Sequence, residues 1–326
     1  MMRGTFARWG LAMAAATLVA GCGSSGTGGG GGSGPATLKV GVLPVTDVAP
    51  LYLGIKQGYF KQQKLTIKPQ VMQGGAEVTA AIVSNSLDIG FSSVEPLMIA
   101  RSKNIPVRII SQGVQAAPST AQSWDGLMVK ANGPIHSPKD LEGKTVAVNA
   151  LKNMNELAVR TVLNRQGVDV SKIRFIEVPF PDMPAAVKTG RVDAATAVEP
   201  FVTASEADGA RKLLSFFAGM QPKMTIATYF AITPYIAKHT DVVKRFTTAM
   251  NKSLAYAQSH HAAVRSIVGT YTKIPPAVAQ KMKLPYWSTD LNQPSIELTA
   301  TETQHFGYTP KKVDPGQLIW SGAAAG

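Results

Sequence analysis

The chain has 326 residues, 33 Lys and Arg against 20 Asp and Glu, a net charge of +13, and one cysteine. A single thiol can form neither an internal disulfide nor a Cys-rich metal cluster, so the fold has to come from burial alone. The basic residues are scattered (Lys61, Lys64 and Lys68; Lys281 and Lys283) with no basic run interleaved with aromatics, which argues against nucleic acid and for a solvated surface near an anionic envelope. In chain order, Arg3 and Arg8 precede a short apolar run over 11–20, too short for a bilayer core that needs roughly 20 apolar residues. A basic start, a short apolar stretch and the small residues Val19, Ala20 and Gly21 describe an export signal over 1–21. Cys22 follows at once, and a nearly pure Gly/Ser segment occupies 22–35.

The placement of Cys22 resembles the bacterial lipobox, which implies lipid attachment at Cys22 and an outer-face, membrane-anchored protein. The Gly/Ser segment is a flexible tether reaching on the order of 20 Å. No later stretch is long and apolar enough for a second span.

The folded part starts with a strand over 38–43 and a helix over 51–62. A strand follows over 65–72, then a helix opened by Gly74 and Gly75 and ended at Asn85, then a strand over 87–91. This alternation predicts a parallel sheet covered on both faces. The order recurs as a strand over 144–148, a helix over 155–166, a strand over 173–178, a short helix turned by Gly190, and a strand over 192–198. Both halves reach Val-Glu-Pro, at 94–96 and 198–200, and each carries an aspartate before its last strand, Asp88 and Asp193. Two similar α/β lobes account for this; chance likeness of short α/β units is the alternative. Two strands within 107–129, separated by a loop with Pro118 and Trp124, lead out of the first lobe, and 225–232 reads as the return crossing. From residue 241 an amphipathic helix sets Val243, Phe246, Met250, Leu254 and Ala257 on one stripe. The tail, with Tyr286-Trp287 and Phe306-Gly307-Tyr308, reads as irregular and is expected to fold back on the first lobe.

Several stretches resemble the nitrate/sulfonate/taurine family of ABC-importer substrate-binding proteins, which also contains thiamine-precursor binders. They are 49–54 (APLYLG) with Gly58-Tyr59-Phe60, then 74–77 (GGAE), 87–91 (LDIGF), 140–146 (DLEGKTV) and Glu199-Pro200. The resemblance implies an α/β, two-lobed periplasmic-binding-protein fold of type II, each lobe a mostly parallel sheet flanked by helices. Lobe 1 is expected over 36–122 and 230–326, and lobe 2 over 123–229, with hinges near Trp124 and Thr228. It also implies delivery of a captured solute to an ABC permease and its ATPase but not which solute, since family members bind chemically different ones; a small nitrogen- or sulfur-containing organic solute is expected. No cofactor, catalytic residue, metal or nucleic acid is expected, and the protein is expected to be a monomer.

Independently of the family, ligands of open parallel sheets sit beyond the carboxyl ends of the strands. The loops there supply Thr46, Asp47, Gly74, Gly75, Ser92, Ser93, Glu95, Asn149, Asn153, Phe180, Asp182 and Glu199 as candidate ligand-binding residues, with Trp124 and Tyr229 as flat walls. Gly74 and Gly75 let backbone amides approach a ligand at a helix start, or only shape a tight turn. Asp47, Glu95, Asp182 and Glu199 favour an amine or N–H-rich ring over a bare anion, because a carboxylate buried against an anion costs several kcal/mol. Glu95 and Glu199 could instead cap backbone amides, and Trp124, Phe180 and Tyr229 could be core. Two other functions stay open. A thiamine-pyrimidine synthase-like enzyme shares the fold class but carries a cysteine-rich motif absent after Cys22, and a ligand sensor would present the closed form to a membrane receptor. His260 and His261 point apart on a helix and make no metal pair.

Overall fold

A computed structural model describes residues 34–324. The signal segment, Cys22 and all but the last residues of the tether lie outside the described residues. Ten strands form two five-stranded sheets. They are β1 (Ala36–Val42), β2 (Leu65–Val71), β3 (Ile89–Ser93), β4 (Val107–Gln115), β5 (Asp125–Lys130), β6 (Thr145–Val148), β7 (Arg174–Glu177), β8 (Ala194–Val198), β9 (Ala210–Leu214) and β10 (Thr225–Ile232).

The sheet orders are β2-β1-β3-β10-β4 and β7-β6-β8-β5-β9, and the two share one plan. Each has a parallel trio, β2-β1-β3 or β7-β6-β8, then a reversed strand, β10 or β5, then an outer strand antiparallel to that one. Four strands of each sheet therefore point one way. This is the two-lobed architecture the sequence implies. The paired aspartates hold equivalent places: Lys39 N donates to Asp88 Oδ2 at 2.8 Å, and Thr145 N donates to Asp193 Oδ2 at 2.8 Å. In both lobes a carboxylate ahead of the third strand locks the first strand's register.

The connections between the sheets are residues 116–124 and 215–224. They are joined by backbone bonds from Ala116 N to Met224 O (2.9 Å) and from Lys223 N to Ala117 O (3.2 Å). All of β10 pairs with β3 and β4 of the first sheet, and Thr228 faces Ser92 and Gln112. A lobe boundary after Tyr229 and a hinge at Thr228 are thereby corrected: an apolar, β-branched run looks the same whether it crosses between lobes or joins a sheet.

Burial explains the elements. All five residues of β8 are buried, as a central strand covered on both faces requires. The helix Thr240–Ser259 buries Val243, Phe246, Met250, Leu254 and Ala257, with Thr247 and Ser253 on the same face. The predicted helix over 51–62 is two pieces, Ala49–Lys56 and Tyr59–Gln62, because Gly58 takes φ +74° between them. The tail is more regular than its sequence suggests, with helices His261–Thr272, Pro276–Lys281 and Gln293–His305. It does return to the first sheet: Gln115 bridges Tyr286, and Ile109 bridges Ile319.

Candidate functional site

The carboxyl ends of the two parallel trios face each other across a narrow cleft. Leu43, Val45 and Asp47 follow β1, Ser93 ends β3, and Gly75 starts the helix Gly75–Val83. Ile226 and Ala227 open β10, whose reversed direction brings its first residues to the same end. From the second lobe come Asn149, Asn153 and Asn155 after β6, Phe180 after β7, Val198 at the end of β8, and Phe217. The enclosed space amounts to about 40 Å³, room for a few water molecules.

The cleft is closed by bonds between the lobes. Thr46 N donates to Glu199 O at 3.0 Å, Lys283 N donates to Glu199 Oε1 at 3.0 Å, and Asn149 Nδ2 reaches Gln73 O at 3.5 Å. Gly74 lies in this seam. A Cβ there would stand 3.3 Å from Ala150 Cβ of the opposite lobe.

Six sequence-predicted residues line the cavity: Asp47, Gly75, Ser93, Asn149, Asn153 and Phe180. The other eight do not. Thr46 and Gly74 are seam residues, and the Ser92 hydroxyl turns to the Ser93 carbonyl at 3.0 Å. Trp124 is buried at the connection between the sheets, its Nε1 donating to Gln115 O at 3.2 Å. Asp182 is exposed, and Tyr229 is packed against Phe91 and Phe246. The Glu199 carboxylate is occupied by Thr203 N (3.1 Å), Thr203 Oγ1 (2.8 Å) and Lys283 N, so its role is the structural one. Burial still raises it, to about 7. Glu95 lies behind the cleft wall, fully buried, with neither oxygen hydrogen-bonded. A strand-end position puts a residue near a cleft, but the side-chain direction decides whether it lines it.

The sequence reading missed Asn155, Phe217 and the start of β10. Asn155 carried a signal: it closes the triplet Asn149, Asn153, Asn155 at a helix start. In the structure Asn149 Oδ1 accepts from Asn153 Nδ2 at 2.6 Å and from Asn155 Nδ2 at 3.1 Å, while Asn153 Oδ1 caps the helix Met154–Arg165 by accepting from Glu156 N at 3.1 Å. Phe217 and Ile226 carried none, because apolar residues at strand ends read as core.

Among the described residues, Asp47 is the one titratable side chain of the cavity wall. It is 6% exposed, and its Oδ1 has no hydrogen-bond partner. Burial raises its carboxyl to about 8, opposed by its own backbone amide and helped by the negative charge of Asp125. Asp125, by contrast, is satisfied by Phe216 N at 2.7 Å, Phe217 N at 3.1 Å and the Ser123 hydroxyl.

Two lobes of mixed sheet closing on a cleft at their strand ends define the periplasmic-binding-protein fold of type II. Residues 45–263 match the NMT1/THI5-like family, and the chain belongs to it. It is 25% identical over 299 residues to "Putative binding protein YtlA" of Bacillus subtilis, covering 86% of this chain and 87% of that one. The taurine-binding periplasmic protein of Escherichia coli is 26% identical over 188 residues, 58% of this chain and 56% of the relative. In structure it is similar to the periplasmic aliphatic sulphonate binding protein SsuA from Escherichia coli, with a TM-score of 0.70 at 20% identity over 88% of this chain and 92% of that chain.

Proposed function

We propose that this protein is the extracytoplasmic solute-binding lipoprotein of an ABC importer, and that it traps a small nitrogen- or sulfur-containing organic solute between its lobes. The observation that carries this reading is the closed cleft itself, with side chains from both lobes on one small space and inter-lobe bonds at its rim. Closure turns about the paired connections 116–124 and 215–224. A solute shifts the open–closed balance only by its preference for the closed form. Affinities of micromolar to nanomolar, roughly 8–12 kcal/mol, suit capture from dilute medium. The closed form is then read by a permease, and the protein makes and breaks no bond.

Mass action supplies the test, because a ligand bound only by the folded form raises the melting temperature. Screened against amines, pyrimidines, sulfonates and nitrate, the protein is expected to be stabilised by one chemical class, with the ligand recovered unchanged. Turnover of the ligand would remove the binding-protein reading. The anchor is tested separately: Cys22→Ser is expected to move the protein from the membrane fraction to the soluble extracytoplasmic fraction, and continued retention would remove the lipid from the proposal.

A further inference from the structure

The cavity wall contains one carboxylate, Asp47, and among the described residues no lysine, arginine or histidine lines it. The oxygen Asp47 Oδ1 is buried without a partner. Across from it, Asn149 and Asn153 are spent on one another and on the helix cap, and Asn155 Nδ2 donates to Asn149 Oδ1. The remaining walls are aromatic and aliphatic: Phe91, Phe180, Phe217, Ile226. Phe217 is held against Trp124 with ring centroids 5.4 Å apart, and Phe180 stacks on Phe201 at 5.9 Å, so both rings are fixed in place.

Taking the cleft as the ligand site, we infer that its guest is a small organic cation whose charge is neutralised by Asp47 and flanked by the rings of Phe180 and Phe217. A buried acceptor left unpaired is costly, and a cation supplies what it lacks. Aromatic faces add attraction for positive charge. An anion finds the amide ends of the helices starting at Gly75 and Met154 but no basic side chain to neutralise it.

The inference has a signature that packing alone does not produce. In the closed form the charge of Asp125 of β5 acts on Asp47, and Asp47 in turn acts on the buried hydroxyls of Tyr229 and Tyr271. Burial first, and then the Asp125 charge, raise the Asp47 carboxyl to about 8, against its own backbone amide. A bound cation reverses that preference and expels the proton.

The experiment uses cations that do not themselves titrate, choline and guanidinium, with methanesulfonate and nitrate as anionic counterparts. Calorimetry in buffers of different ionisation enthalpy reads the number and sign of protons exchanged. A cation is expected to bind, to release close to one proton at pH 6.5, and to bind more tightly as the pH rises toward 8. Asp47→Asn, with unchanged circular dichroism, should weaken that binding at least tenfold and abolish the proton release. Methanesulfonate or nitrate binding instead, or cation binding that survives Asp47→Asn with no proton exchanged, overturns the cation while leaving the solute-binding reading intact. If neither set raises the melting temperature, the cation falls, and the wider screen above decides the binding reading on its own.

Discussion

Replacing Gly74 with Trp is expected to hold the lobes apart and lower solute affinity at least a hundredfold, about 2.7 kcal/mol, while the protein stays folded. The backbone at Gly74 is extended, φ −162° and ψ 162°, a conformation any residue adopts, so the substitution stores no strain in its own lobe. The obstacle is the other lobe, where Ala150 Cβ would lie 3.3 Å from the new Cβ and Asn149 Nδ2 4.0 Å. An indole beyond that Cβ has no room in the closed seam. Wedging it open breaks the bonds that close the cleft, from Thr46 N to Glu199 O and from Asn149 Nδ2 to Gln73 O. Gly74→Ala is the control: its single methyl demands a shift of a few tenths of an ångström and is expected to cost about threefold or less. Calorimetry reads the affinity, and small-angle scattering with and without solute reads closure. Trp at 74 with affinity within threefold of the parent would show that the seam does not close on the ligand.

Neighbouring Gly75 shows why adjacent glycines need separate accounts. A Cβ at Gly75 would run into the Ser92 hydroxyl in the same lobe, so that glycine serves the packing of the helix Gly75–Val83 on β3. Sequence alone reads the pair as one device for ligand approach.

The same limit explains what was legible at large. The strand–helix alternation and the aspartates before the third strands are local features, and they map directly onto the two sheets, whereas the two Val-Glu-Pro tripeptides do not match: Val94 starts a helix after β3, and Val198 ends β8. Asp88 and Asp193 are clear cases, because each acts on a strand of its own lobe through a backbone amide. The course of β10 was not legible. Thr225–Ile232 is apolar and β-branched, and whether it crosses between lobes or joins a sheet depends on partners over a hundred residues away. The site divides in the same way. Asp47, Ser93, Asn149, Asn153 and Phe180 were found because strand ends converge there. Glu95, Glu199 and Trp124 sit at the same ends, but their side chains turn into the protein or take backbone partners, which no spacing rule encodes.

Glu95 carries the second large effect, on stability rather than binding. Its carboxyl is fully buried, and neither oxygen is hydrogen-bonded. Burial first, and then the Glu156 charge, push it well above its usual 4.5, with Lys152 opposing. The folded protein therefore keeps a proton there that the unfolded chain gives up above pH 4.5. Because the folded state binds the extra proton, stability falls as pH rises, by about 1.4 kcal/mol per unit, until Glu95 ionises in the folded state too. Glu95→Gln removes that term without changing the shape of the side chain. Urea unfolding of the two proteins should coincide near pH 4.5 and diverge above it, the Gln variant becoming the more stable of the two as the pH rises. Asp47 and Glu199 also titrate upward and are common to both proteins, so the difference between the curves isolates Glu95. Solute affinity should stay within about twofold, because Glu95 does not reach the cavity. Parallel pH profiles would mean that Glu95 is hydrated or paired when folded. A large loss of affinity would return it to the binding site, where the end of its strand first placed it.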